Sequence, residues 1–197
     1  MRTEVYFIRH AESDLSVKDD RTRPLSQKGQ HDAQRLLQVF KNIAIDYVYS
    51  SPYLRAMDTV KYLAEYHGKD VIPCENFRER AIGTWVDDFL PYIRMQWNDF
   101  DYKLERGESL KEAQERNIAE LNRLLQQHEN ATLVIGTHGT ALSTIRNYYD
   151  DQFGLQQFLD MVDIMPYIVK MTFERKALKY EKNALKVERK ALNYEEN

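Results

Sequence analysis

Cysteine is almost missing from this sequence. Cys74 stands alone among 197 residues, which excludes an intramolecular disulfide and a metal site built on cysteines. Such usage suits a reducing compartment. A surplus of basic charge is missing too: 28 Lys and Arg face 31 Asp and Glu, for a formal net charge of -3. With no excess cation to neutralise a phosphate backbone, nucleic acid is not an expected partner. Local basic clusters can still hold a small anion. No apolar run approaches the length needed to span a bilayer, because polar residues interrupt each one early. Met1-Arg2-Thr3-Glu4 passes straight into a strand-like run, so no signal sequence is expected and the cytoplasm is the expected location.

What remains is an ordinary soluble composition, 43% hydrophobic and 30% charged, at a length that suits one domain enlarged by an insertion. Val5-Tyr6-Phe7-Ile8 is a dense apolar run of strand formers and predicts a buried parallel-type strand. Residues 11–25 are polar and predict a loop. Ser26 is placed to cap a helix reaching Phe40, with Ala33, Leu36, Leu37 and Phe40 on its apolar face. Residues 45–49 (IDYVY) predict a second strand. Ser50-Ser51-Pro52 follows as a turn, and Arg55 falls in the opening of a helix reaching Tyr66. Val71-Ile72 predicts a brief strand.

Residues of about 75–107 form an aromatic-rich excursion over the domain, helical near 88–100. Trp85, Phe89, Tyr92, Trp97 and Phe100 either pack this excursion down or line a pocket mouth, with packing the expectation for most. Ser109-Leu110-Lys111-Glu112 is a capping box opening a helix to about His128. Thr132-Leu133-Val134-Ile135 is the clearest strand; it ends in Gly136-Thr137-His138-Gly139 and a helix to Tyr149. A last strand is expected over 164–173.

Short strands alternating with amphipathic helices predict a three-layer α/β/α domain with a mostly parallel central sheet. A domain over residues 1–176 would then be followed by an extension over 177–197. There ALKYEKN, ALKVERK and ALNYEEN form three seven-residue repeats, whose 3-4 spacing predicts a helix. That helix would lie on its own domain, or alternatively pair two subunits in a homodimer.

In such sheets ligands bind beyond the carboxyl ends of the strands. Arg9 and His10 follow the first strand, Arg55 the second, and His138 the strand near residue 135. Taken singly, Arg9 reads as an ion-pair partner, His138 as a helix cap and His10 as a satisfied polar residue. Jointly, two imidazoles and two guanidiniums suit a phosphoryl dianion. Glycines at 136 and 139 let the backbone approach closely. A neutral histidine can attack phosphorus when its other ring nitrogen is held as a donor. Arginines and a second histidine would steady charge on the equatorial oxygens. No metal or other cofactor is required. The leaving alkoxide still needs a proton, and Glu79, in FRERAIGTW, is one candidate beside Glu12, Asp14 and Glu75.

These motifs resemble the histidine phosphatase superfamily, the phosphoglycerate-mutase-like enzymes. Ile8-Arg9-His10-Ala11-Glu12-Ser13 is similar to the opening Arg-His-Gly/Ala motif. Leu25-Ser26-Gln27-Lys28-Gly29-Gln30 resembles the helix-opening stretch, and residues 50–59 (SSPYLRAMDT) the second arginine motif. Residues 79–85 (ERAIGTW) resemble the Glu-x-x-x-Gly-x-Trp pattern, and 136–139 (GTHG) the second-histidine motif. The ordered set covers residues 3 to about 173.

The resemblance implies a phosphohistidine on His10, with Arg9, Arg55 and His138 completing the phosphate pocket. It implies Glu79 as proton donor and acceptor. Ser16 stands where many members carry a phosphate-contacting asparagine. The implied activity is metal-independent hydrolysis of a small-molecule phosphate monoester, because the chain lacks the added segments that enclose substrate in the longer mutases. A phosphoglycerate mutase-type isomerase is the alternative, and a non-catalytic phospholigand-binding protein is a third reading.

Overall fold

A computed structural model describes residues 2–84, 86–174 and 177–182. Six strands form one sheet: β1 (Arg2–Arg9), β2 (Tyr47–Ser50), β3 (Val71–Pro73), β4 (Thr132–Thr137), β5 (Tyr167–Glu174) and β6 (Ala177–Lys182). Their order is β3-β2-β4-β1-β5-β6. The β3, β2, β4 and β1 pairings are parallel, and β5 and β6 close that edge antiparallel. The sheet is mostly parallel, as expected.

Alternation along β1 divides the core. Val5 and Phe7 face one side with Leu133, Ile135, Leu121 and Leu142, while Tyr6 and Ile8 face the other with Leu36, Phe40, Val48 and Leu63. Val5, Phe7 and Ile8 are fully buried, each worth about 1.5–3 kcal/mol relative to exposure. Helices α1 (Gln27–Phe40) and α2 (Leu54–Tyr66) cover the second side. Helices α4 (Leu110–Gln127), α5 (Gly139–Tyr149) and α6 (Leu155–Val162), with α3 (Phe89–Asn98), lie on the first. The three layers follow from that division.

The local signals behave as their chemistry requires. Ser26 Oγ accepts from Gly29 N–H at 3.0 Å to start α1. Ser109 and Glu112 exchange hydrogen bonds at 3.1 and 3.0 Å to start α4. In the excursion, Trp97 stacks near Phe100, Phe153 and Phe158 at 5.5–6.3 Å between ring centroids, and Tyr92 is buried. Packing is their role here; Phe89 is exposed, and Trp85 lies outside the described residues.

Two expectations need correction. Helix α6 was not anticipated, although Leu155, Phe158, Leu159 and Val162 hold i, i+3, i+4, i+7 spacing. The helical reading of the tail fails over residues 177–182, which form β6 instead. Strand β5 offers a row of unpaired backbone groups, and the chain turns back onto it, pairing Phe173 with Leu178. Leu178 packs on the core and Glu181 meets Arg146 at 2.6 Å. A three-heptad seam half made of alanine buries too little apolar area to compete. Residues 177–182, expected as the start of an extension, thus pair into the same sheet through β5. The rest of the repeats, 183–197, lie outside the described residues.

Candidate active site

The sheet order makes neighbours of the strand ends that sequence had singled out. Arg9 pairs with Thr137 at the end of β1/β4, and Ser50 with Gly136 at the end of β2/β4. The next residues, His10, His138 and Ser51, consequently emerge together above β4. His10 N–H donates to the Thr137 carbonyl at 3.0 Å, and the His10 and His138 rings stand 5.2 Å apart.

His10 is held in one tautomer. Its Nδ1 lies 2.7 Å from the Ala11 carbonyl oxygen, which only accepts, so Nδ1 carries the proton. Its Nε2 lies 3.2 Å from Arg55 Nε, which only donates, so Nε2 presents its lone pair. Burial, then the charges of Arg55 and Arg9, push the His10 pKa well below the ordinary 6.5. The ring is neutral at neutral pH with its nucleophilic nitrogen turned to a guanidinium.

His138, fully buried, opens α5. Its Nε2 is 2.7 Å from Ser51 Oγ, and that oxygen also accepts from Tyr53 N–H at 3.3 Å. Among the described residues the Ser51 hydroxyl hydrogen meets no acceptor besides His138 Nε2, which assigns it there. Nδ1 then carries the His138 proton, and this buried N–H has no partner among the described residues. Burial, with Arg55 next, lowers the His138 pKa well below 6.5.

Arg9 is anchored rather than free. One terminal nitrogen donates to the carbonyls of Met161, Val162 and Ile164 at 2.9, 2.7 and 3.3 Å, a cation seated at the C-terminal end of α6. Its buried Nε has no partner among the described residues. A side chain at Gly139 would come within 3.3 Å of that Nε, which explains the glycine at the head of α5. Burial lowers the Arg9 pKa to about 10 against the raising influence of Glu79 and Asp163, and it stays charged.

Geometry separates the four candidate acids. Glu12 accepts from the hydroxyl of Ser26, the N-cap of α1, at 2.7 Å. Asp14 accepts from Ser16 N–H at 2.9 Å. Glu75 pairs with Arg21 at 2.8 Å. Glu79 alone of the four sits on the first turn of α5, accepting from Thr140 and Ala141 N–H at 3.1 Å each and from Arg80 N–H at 2.8 Å. It thus lies beside His138. Its loop is braced by Glu108, which accepts from Arg78 at 2.5 Å, Arg116 at 2.9 Å and Ala81 N–H at 2.9 Å. Arg116 also donates to the Glu79 carbonyl at 3.2 Å.

The structure brings together Arg9, His10, Arg55, Glu79 and His138. Ser16 is not joined to them: it is exposed and interacts with Asp14. Sequence reasoning missed Arg23, whose charge also depresses the His10 pKa, and Asp20, which pairs with Arg55 at 3.0 Å. It read Ser51 only as a turn residue. Among the described residues no group of three or more His, Cys, Asp or Glu is arranged to hold a metal ion, and no helix is long and apolar enough to cross a membrane.

The profile of the histidine phosphatase superfamily (branch 1) matches residues 5–176. The chain belongs to that superfamily. Among curated proteins, this histidine phosphatase is similar to a probable phosphoglycerate mutase of Cronobacter sakazakii, 26% identical over 155 residues, 72% of each chain. It is also similar to an uncharacterized phosphatase of Bacillus subtilis, 25% identical over 147 residues, 73% of this chain and 75% of that one. Its fold matches the phosphoserine phosphatase of Entamoeba histolytica with a TM-score of 0.74, at 22% identity, covering 92% and 98% of the two chains. A mycobacterial glucosyl-3-phosphoglycerate phosphatase gives 0.73 at 16% identity, covering 92% and 97%.

Proposed function

We propose that this histidine phosphatase hydrolyses small-molecule phosphate monoesters through a phosphoenzyme on Nε2 of His10. The observation that carries the reading is the Nδ1–Ala11 hydrogen bond at 2.7 Å, which leaves Nε2 unprotonated inside a cationic pocket. In the first step the Nε2 lone pair attacks phosphorus and the ester P–O bond breaks. Glu79, as the carboxylic acid, gives its proton to the departing alkoxide. In the second step water attacks phosphorus, the N–P bond breaks, and the Glu79 carboxylate takes the water's proton. Arg9, Arg55 and the Nδ1–H of His138 hold the equatorial oxygens while charge shifts across them.

The substrates named for the structural relatives, phosphoserine and glucosyl-3-phosphoglycerate, are small phosphate esters. They support a metabolite-sized ester here. The single free Cys74 suits the cytoplasm as the proposed location. The likeness to probable phosphoglycerate mutases favours one other reading, phosphoryl transfer back to an acceptor. Comparing free phosphate with isomer formation separates the two.

The test is a panel of phosphate esters, assayed in chelator, with wild type beside His10→Ala. Wild type is expected to release phosphate, and His10→Ala to lose on the order of a thousandfold or more in kcat. Activity retained by His10→Ala rejects the mechanism.

A further inference from the structure

The segment between Asp14 and Pro24 is tied down along its length. Its ends meet where Ser13 bridges Leu25 and Asp14 N–H donates to the Pro24 carbonyl at 2.9 Å. Its middle is fastened to the head of α2, where Leu54 N–H donates to the Arg21 carbonyl at 2.9 Å. Asp19 accepts from the Thr22 N–H at 2.8 Å and its hydroxyl at 2.6 Å, closing a tight turn around Asp20.

Asp20 meets Arg55 twice. Its backbone carbonyl accepts from one terminal nitrogen of Arg55, and its Oδ1 accepts from the other at 3.0 Å. The same Oδ1 accepts from Arg23 at 3.1 Å. Arg55 is therefore gripped along its outer edge while its Nε points at His10 Nε2, 3.2 Å away. The Arg55 side chain is 4% exposed and that of Asp20 49%, so the grip comes from the solvent side. Two guanidiniums brought together in a cationic pocket repel each other, and one shared carboxylate offsets that repulsion.

We infer that Asp20 is a positioning residue for phosphoryl binding: it aims Arg55 at the nucleophile and draws Arg23 in as a further cation of the pocket. This rests on the phosphoryl-site reading above. Arg23 is also held by the Val17 carbonyl through Nε at 2.9 Å and the Lys18 carbonyl at 3.2 Å, so its head is fixed by the same loop. The carboxylate itself repels an incoming phosphate. The arrangement therefore makes a prediction of sign, since a residue that merely mimics phosphate would have to be displaced and its removal would tighten binding.

The test is calorimetric binding of inorganic phosphate to the full chain, for wild type, Asp20→Asn, Asp20→Glu, Arg23→Met and the Asp20→Asn/Arg23→Met pair. Asp20→Asn is expected to weaken phosphate about tenfold, the scale of a charge-assisted hydrogen bond. Asp20→Glu, which keeps the charge, recovers part of that loss, as a purely steric role would not. The double variant is expected to bind less weakly than two independent losses would give, because Asp20 acts partly through Arg23. Asp20→Asn binding phosphate as tightly as wild type, or more tightly, overturns the inference, as does full additivity with no recovery in Asp20→Glu. Binding needs no turnover. A wild type that binds phosphate yet hydrolyses no ester rejects the phosphatase reading alone; one that binds no phosphate rejects both.

Discussion

Nε2 of His10 accepts a hydrogen bond from Nε of Arg55 at 3.2 Å, while Nδ1 of the same ring donates to the Ala11 carbonyl at 2.7 Å. The pair fixes both the charge and the direction of the imidazole. A ring protonated at Nδ1 and buried among arginines has one lone pair, and it faces the guanidinium that would share a phosphoryl group with it. The chemistry of the site follows from that orientation.

Glu79 should matter in proportion to how badly the leaving group needs a proton. Glu79→Gln keeps one oxygen to accept from Ala141 and Arg80 N–H, gives up the bond from Thr140 N–H, and removes the transferable proton. Steady-state kinetics should show kcat on alkyl phosphates falling about a hundredfold or more. Release of p-nitrophenolate, a good leaving group, should slow far less in the phosphorylation step. Equal slowing of both would remove Glu79 from the role of acid.

Ser51 sets the tautomer of His138. Heteronuclear NMR of the wild-type imidazole should show Nδ1 protonated and Nε2 as acceptor. Ser51→Ala frees Nε2, and kcat/KM should fall about tenfold as one phosphate donor is lost. Ser51→Thr, which keeps the hydroxyl, should restore it. A wild-type spectrum with the proton on Nε2 contradicts the assignment.

How far the sequence leads depends on how local the cause is. Arg9, His10, Arg55 and His138 were legible because each directly follows an apolar run or opens a helix, and sheet order then places the strand ends side by side. The choice of Glu79 over Glu12, Asp14 and Glu75 was not legible from physics alone. It depends on which carboxylate meets the N–H groups of Thr140 and Ala141, about sixty residues away. Asp20 and Arg23 were hidden for the same reason, since their roles arise only once Arg21 is fastened to Leu54. The 177–182 segment misled because its heptad spacing is local, whereas the open edge of β5 that captures it is not.

Glu108 links the Glu79 loop to pH. Burial alone would raise its pKa, but hydrogen bonds from Arg78, Arg116 and Ala81 N–H outweigh it and hold the carboxyl at about 2. A folded-state value below the unfolded 4.5 means the stabilisation is full above 4.5 and is lost as pH falls from there towards 2. Glu108→Gln should lose on the order of 2 kcal/mol at neutral pH, after allowance for partial exposure. In denaturant titrations the gap between wild type and variant should begin to narrow below pH 4.5 and close only as pH approaches about 2. A gap unchanged with pH would mean the carboxylate is not so paired.

Strand β6 belongs to the sheet, and its loss should register as stability. Removing residues 177–197 takes away Leu178 from the core and Glu181 from Arg146. Thermal unfolding should show Tm lowered by about 5 °C or more, the scale of a few kcal/mol in a domain of this size. An unchanged Tm would mark the segment as an appendage.

The most direct measurement is to quench wild type during turnover of a phosphate ester and locate the phosphoryl group by peptide mass spectrometry and phosphorus NMR. The account predicts a phosphohistidine at His10, attached to Nε2, and absent from His10→Ala. Phosphate on Nδ1, on another residue, or undiminished in His10→Ala would contradict it.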